Sequence, residues 1–180
     1  MGQNVSQAAS DAAGTTGGFS HLDGAGRARM VDVTGKAWTL RRAVARCRVK
    51  ACDEALAALG TSSGSTPAGM GSSWAEVVVA ARMAGIQAAK RTAALIPLCH
   101  PLTLSDIDVR LAIADGGVDI ESEAEVVGPT GVEMEALTSC AFAALSIMAA
   151  LRRADPEASI EDLGLWHKSG GRSGTWVRQC

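Results

Sequence analysis

The stretch Ile86 to Ser105, IQAAKRTAALIPLCHPLTLS, gathers Lys90, Arg91, Cys99 and His100 around one interruption of regular structure. Two cations there could hold an anion, and an imidazole exchanges protons near neutral pH. Pro97 and Pro101 flank Leu98-Cys99-His100. Proline fixes its own φ and biases the preceding residue toward extended backbone, so the segment reads as a rigid turn that presents His100 beside the cations. The plain alternative is a structural histidine in an ordinary helix-to-strand turn. Cys99 next to His100 is not a nucleophile–base pair, because adjacent residues in an extended turn point apart. It reads instead as a buried apolar residue, as free cysteines usually are.

A second cluster lies at Thr130-Gly131-Val132-Glu133-Met134-Glu135. The spacing of Thr130 and Glu133 is that of a capping box, and carboxylates in a first turn also suit the helix dipole. Glu133 and Glu135, two residues apart, do not face each other on a helix and form no paired-carboxylate dyad. A third lies in HKSGGRSG, where Lys168 precedes glycines that let backbone N–H groups approach an anion. Flexible C-terminal loops can have the same composition without binding anything.

Elements must position these groups. Residues 1–27, rich in Gly, Ala and Ser, read as a flexible arm that cannot offset its ordering entropy, leaving 28–180 as one domain. Arg29–Val33 and Trp38–Val49 have extended character around a Gly35 turn, and Asp53–Leu59 is a short helix. TSSGSTPAGMGSS over 61–73 reads as a mobile loop, a candidate lid. Ser73-Trp74-Ala75-Glu76 is a capping box opening a helix to about Thr92, with Val77, Val78, Met83, Ala84 and Ile86 apolar. Leu104–Ala114 and Val118–Val127 alternate about Asp115-Gly116-Gly117 as a hairpin. The longest helix opens at the Thr130–Glu133 capping box and runs to about Ala154, its core stripe being Met134, Leu137, Phe142, Leu145, Met148 and Leu151. A short strand Leu163–His167 follows. Strand pairs split by helices predict an α+β fold, helices on one face of an antiparallel sheet.

Composition narrows the function classes. With a net charge of −2 and a pI near 5.9, no global basic field points to nucleic acid, so an anionic ligand must meet a local cluster. Five cysteines without a C-x-x-C pair argue against a disulfide framework or a zinc site, and no metal is expected. The N-terminus lacks a basic region followed by an apolar run, and no segment reads as a membrane span. The expectation is a cytoplasmic protein without membrane or nucleic-acid partners.

ARMAGIQAAKRTAALIPLCHPLTLS, with GVEMEALTS, ARMVDVTGKA and HKSGGRSGTW in this order, resembles the molybdenum-cofactor biosynthesis protein C (MoaC) family, cyclic pyranopterin monophosphate synthases. The resemblance covers about Ala28 to Trp176. It implies a ferredoxin-like α+β fold and a homohexamer built from dimers. It also implies a lyase that converts 3′,8-cyclo-7,8-dihydro-GTP to cyclic pyranopterin monophosphate, releasing pyrophosphate without a cofactor. On this resemblance His100 and Glu133 are the catalytic candidates. Arg41, Arg82, Lys90, Arg91, Cys99, Met134, Glu135, Arg152 and Lys168 would bind a guanosine-derived triphosphate.

Two positions depart from the family pattern. Its lysine ahead of the A-x-A-G-I helix falls at Trp74, and its aspartate late in the long helix falls at Ala149, with Arg152 at a lysine position. Each acid–base group typically contributes about 10²–10⁴-fold. Arginine keeps a charge but supplies no proton near neutrality. Two further readings therefore stand beside the synthase: a homologue acting on a related guanosine-derived nucleotide, with Trp74 stacking on a base or filling space, or a catalytically silent nucleotide-binding subunit.

Overall fold

Arginines alternating with small apolar residues make Thr39–Lys50 the central strand, β1: Ala43, Ala45, Cys47 and Val49 are buried, while Arg42, Arg46, Arg48 and Lys50 point the other way. The computed structural model describes residues 25–60 and 73–179. All but the last residues of the expected arm (1–27) and of the Gly/Ser loop (61–73) lie outside the described residues. The chain divides into two units, 1–31 and 32–180, and everything below concerns the second.

After β1 come α1 (Asp53–Gly60), α2 (Trp74–Lys90), a single turn α3 (Thr92–Leu95), β2 (Asp106–Ala114) and β3 (Gly117–Gly128). They are followed by α4 (Glu133–Leu151), β4 (Ser159–Ser169) and β5 (Trp176–Val177). The sheet has the order β2-β3-β1-β4-β5 with every pair antiparallel. Helices α2 and α4 pack on it, α2 chiefly over β2 and α4 over β1 and β3. This is the expected ferredoxin-like α+β arrangement. The opposite face carries the β1 cations against Asp119, Glu121 and Glu123 of β3, in pairs such as Arg46–Glu121 at 2.6 Å and Arg48–Asp119 at 3.2 Å.

Local signals were largely decisive. The Ser73–Glu76 capping box forms, with Glu76 N–H donating to Ser73 Oγ at 3.3 Å and Ser73 N–H to Glu76 Oε2 at 2.8 Å. The hairpin turns at Asp115-Gly116, with Gly116 at φ +71°. The expected strand Arg29–Val33 is absent. The Asp32 carboxylate accepts from the N–H (2.9 Å) and hydroxyl (2.7 Å) of Thr34, so Asp32 fastens the turn expected at Gly35 in place of pairing as a strand.

The packing face of α4 also differs from the expected stripe. Met134, Phe142 and Leu145 are exposed, and of the six stripe residues only Leu151 is fully buried. The sheet is met by Ala136, Cys140, Ala143, Ala144 and Ile147. Small side chains win because α2 and α4 approach closely: a Cβ on Gly85 would stand 2.9 Å from the Ser139 carbonyl oxygen. On α2, likewise, Val77, Ala81, Ala88 and Ala89 are buried and Met83 is exposed. By length and composition α4 could cross a bilayer, contrary to the sequence reading, but half of it is buried as the core helix. Gly85→Ala should push α2 off α4 and destabilise the fold by roughly 1–3 kcal/mol, read as a lower denaturant midpoint with an unchanged slope.

Candidate active site at the start of the long helix

Lys168 reaches the site through an irregularity in β4. Val44 pairs with His167 and Ala45 with Leu165, so Trp166 is an extra residue between two ladder positions. Side chains alternate across a strand, and a one-residue insertion reverses the faces beyond it. Past the bulge Lys168 lies opposite Ala43, on the helix side of the sheet, and its Nζ stands 3.0 Å from Glu133 Oε1. The bulged Trp166 ring carries two cation–π contacts, with the guanidiniums of Arg46 at 5.5 Å and Arg178 at 4.7 Å from its centroid. Arg178 directly follows the short β5 strand, and its N–H donates to the Trp166 carbonyl at 2.9 Å.

Glu133 is thus an ion-pair partner and not a cap. The N-cap of α4 is Val132, without a side-chain bond, and the Thr130 hydroxyl donates to the Gly131 carbonyl at 3.0 Å. The expected capping box fails because a cation brought in by β4 takes the carboxylate first. Gly131 leaves room for it: a Cβ there would occupy the space of the Glu133 carboxylate.

Arg41, near the start of β1, fastens the turn ahead of α4. Its Nε donates to the Gly128 carbonyl and its Nη2 to that of Pro129, each at 2.9 Å. Gly170 and Gly171, at φ +93° and +70°, pass directly against Leu40 and the Arg41 guanidinium, where no side chain would fit. The Gly-rich loop predicted to meet an anion therefore first packs on Arg41.

The His100 turn faces this junction. His100, Trp38, Val126, Gly128 and Thr130 line a cavity of about 320 Å³. Leu98 ahead of it has φ +67°, a conformation a branched side chain rarely adopts. Such a residue persists only where its surroundings enforce it, commonly at functional turns. Cys99, half-buried, has its thiol pushed up by burial and then by the charge of Glu135, so the turn sits within electrostatic reach of the second acidic residue.

Glu135 is buried, 5% exposed. Burial, with a smaller contribution from Glu133, outweighs a backbone hydrogen bond and raises its pKa to about 7. A carboxyl poised there can give or take a proton at neutral pH.

The remaining candidates do not join this cluster within one chain. Arg82 pairs with Asp108 of β2 at 3.1 Å. Lys90 and Arg91 are exposed at the end of α2, make no ion pair among the described residues, and do not line the His100 cavity. Met134 is exposed beside the two acids. Arg152 follows the far end of α4, about 28 Å from Glu133 at 1.5 Å per residue. Ala149 is exposed near it, and Trp74 is partly buried against the core at the start of α2.

The residues gathered here come from widely separated stretches of the chain. Residues 30–171 match the MoaC family. The chain belongs to that family. It is 49% identical to a cyclic pyranopterin monophosphate synthase of Roseiflexus sp. (strain RS-1) over 88% of this chain and 97% of that protein. The namesake of Thermomicrobium roseum is 48% identical, covering 89% and 93%. A cyclic pyranopterin monophosphate synthase 2 of Mycobacterium bovis is 42% identical, covering 91% and 93%.

Sequence reading missed Trp166 and Arg178 as supports of this MoaC site. The available signal was an aromatic residue directly before His167-Lys168, but a bulge leaves no mark in alternation alone.

The Glu135 shift has a signed consequence. Its folded pKa lies above its ordinary value of 4.5, so ionisation costs stability progressively as pH rises from about 4.5 to about 7. Glu135→Gln should match the natural protein at low pH and exceed it above neutrality by up to about 3 kcal/mol, in urea titrations at several pH values.

Proposed function

We propose that this chain is a cyclic pyranopterin monophosphate synthase of molybdenum-cofactor biosynthesis, taking 3′,8-cyclo-7,8-dihydro-GTP and releasing pyrophosphate as the cyclic phosphate forms. The observation that carries the reading is the meeting of Glu133–Lys168, Glu135 and the His100 turn at one helix start, in a chain whose relatives bear that name. Glu135, titrating near neutrality, is suited to move a proton. His100 is suited to hydrogen-bond the purine-derived ring or share the transfer. Lys168, already turned toward the site, can exchange its carboxylate partner for a phosphate oxygen. Arg41 acts by fixing the turn on which α4 starts. No cofactor is required for these roles, and the cytoplasm is the compartment we assign.

Of the triphosphate-binding cations, Arg82 and Arg152 require a second copy in this reading, whereas Lys90 and Arg91 end α2 on the side of the His100 turn. Helices α2 and α4 cross at Gly85 and Ser139, while Cys99, beyond the end of α2, is near Glu135 at the start of α4. The two helices thus run in opposite senses, and Trp74, Ala149 and Arg152 fall toward the end away from Glu135. A homo-oligomer, a hexamer built from dimers, would bring such an end to a neighbour's His100 turn. Val79 and Met83 of α2 and Phe142 and Leu145 of α4 are exposed apolar residues available for that contact.

A silent nucleotide-binding subunit is the second reading, favoured by Trp74 and Ala149 where the family pattern has a lysine and an aspartate. Partial burial of Trp74 against the core makes it a space-filling residue more than a stacking platform. Incubation with the cyclo-dihydro-GTP intermediate should yield pyranopterin slowly. The double variant Trp74→Lys with Ala149→Asp should raise that rate at least roughly 10²-fold, each single change doing much less. Fast turnover by the natural chain with no gain in the double variant would place proton transfer on Glu135 and His100 alone. Salt-sensitive calorimetric binding without turnover in either protein would establish the silent subunit.

A further inference from the structure

Two thiols meet in the middle of the core. Cys47 of β1 and Cys140 of α4 are 93 residues apart in sequence, yet their sulfurs are 3.2 Å apart, and both are free. The Cys140 thiol donates toward Cys47 Sγ, and Cys47 lies 3.8 Å from the Cys140 carbonyl oxygen. Both belong to the hydrophobic core beside Ile120 of β3, with no metal-binding cluster among the described residues. Each packs as a small apolar side chain, and their sulfurs are in addition close enough to react with each other.

We propose that Cys47 and Cys140 are an oxidisable pair that closes to an intramolecular disulfide, tying the central strand to the long helix. A bonded pair needs sulfurs about 2.05 Å apart, so closure asks for about 1 Å of approach. The oxidant is a hydroperoxide of small size. One sulfur attacks the peroxide oxygen, the O–O bond breaks, and the sulfur becomes a sulfenic acid with release of water or an alcohol. The second sulfur then attacks the sulfenic sulfur, and the departing hydroxide takes up the thiol proton as water. Two thiols lose two electrons and two protons, and the peroxide gains them. Cys47, 5% exposed against 0% for Cys140, is the sulfur that meets the oxidant, and Cys140 resolves. The shared hydrogen bond and burial push the Cys140 thiol up, so closure is slow at neutral pH and faster in alkali.

The cross-link would join the strand that bears Arg41 to the helix that bears Glu133 and Glu135. Strand and helix could then no longer separate by local opening.

The test uses the full natural chain. Protein treated with hydrogen peroxide is unfolded in the presence of an alkylating agent and digested, and the peptides are mapped by mass. The expected product joins the peptides of Cys47 and Cys140, weighs about 2 Da less than their sum, and reverts with dithiothreitol. Its melting temperature without reductant should exceed that of the reduced protein by several degrees. Cys52→Ser, which removes an exposed thiol, should leave the joined peptide unchanged. Recovery of Cys47 and Cys140 as alkylated thiols after the peroxide step, their appearance only as sulfinic acids, or bridges made solely through Cys52, Cys99 or Cys180 would each overturn the proposal.

Discussion

One extra residue in a strand sets the geometry on which the site depends. Without the bulge at Trp166, strict alternation would send Lys168 to the face where Arg46 and Glu121 lie, with a sheet between it and Glu133. The bulge costs a ladder position, and the Arg46–Trp166–Arg178 stack offsets that cost from the other side of the sheet. The two faces are therefore coupled. A cation–π stack facing solvent holds an ion pair that opens on the candidate active site.

The second constraint is the closeness of α2 and α4. Because Gly85 and the alanines let the helices nest, the start of α4 is drawn under the turn that carries Cys99 and His100, and Glu135 loses its water. Its elevated pKa is chiefly a consequence of burial by helix packing, with the Glu133 charge adding a smaller push. The same nesting leaves the larger apolar residues facing outward, so tight internal packing and a sticky exterior come from one choice of small side chains.

What the sequence showed clearly was what neighbouring residues decide among themselves. Ser73 and Glu76 cap α2 because they are three apart and nothing competes. The β2–β3 hairpin follows from alternation on either side of a Gly-bearing turn. Expectations failed where a distant group intervened. Thr130–Glu133 has the same local form as the cap of α2, but Lys168, 35 residues away, takes the carboxylate. The stripe on α4 was drawn through the largest apolar residues, whereas the approach distance of a second helix decided which face was buried. Only the middle of β4 was anticipated as Leu163–His167, since its two irregularities, one with Asp162 at φ +55°, erase the alternation that would reveal Ser159–Ser169. The motifs that resemble MoaC singled out His100, Glu133, Glu135 and Lys168, which the fold brings to one helix start, without indicating that Arg82 and Arg152 would lie apart from them.

The charged face of the sheet behaves as a parity check on strand alignment. Cations at alternate positions of β1 face carboxylates at alternate positions of β3, so an odd slip would place charged side chains in the core, while an even slip would still match plus with minus. Electrostatics is blind to that second error. The discriminating element is Gly117, opposite Lys50: a Cβ at Gly117 would stand 2.5 Å from the Val49 carbonyl oxygen, so a residue with a side chain could not take that place in the ladder without a backbone shift. Moving β1 by two positions would set the bulkier Asp119 or Asp115 there. A single hydrogen atom at the hairpin's edge thus supplies the information that a whole lattice of ion pairs lacks.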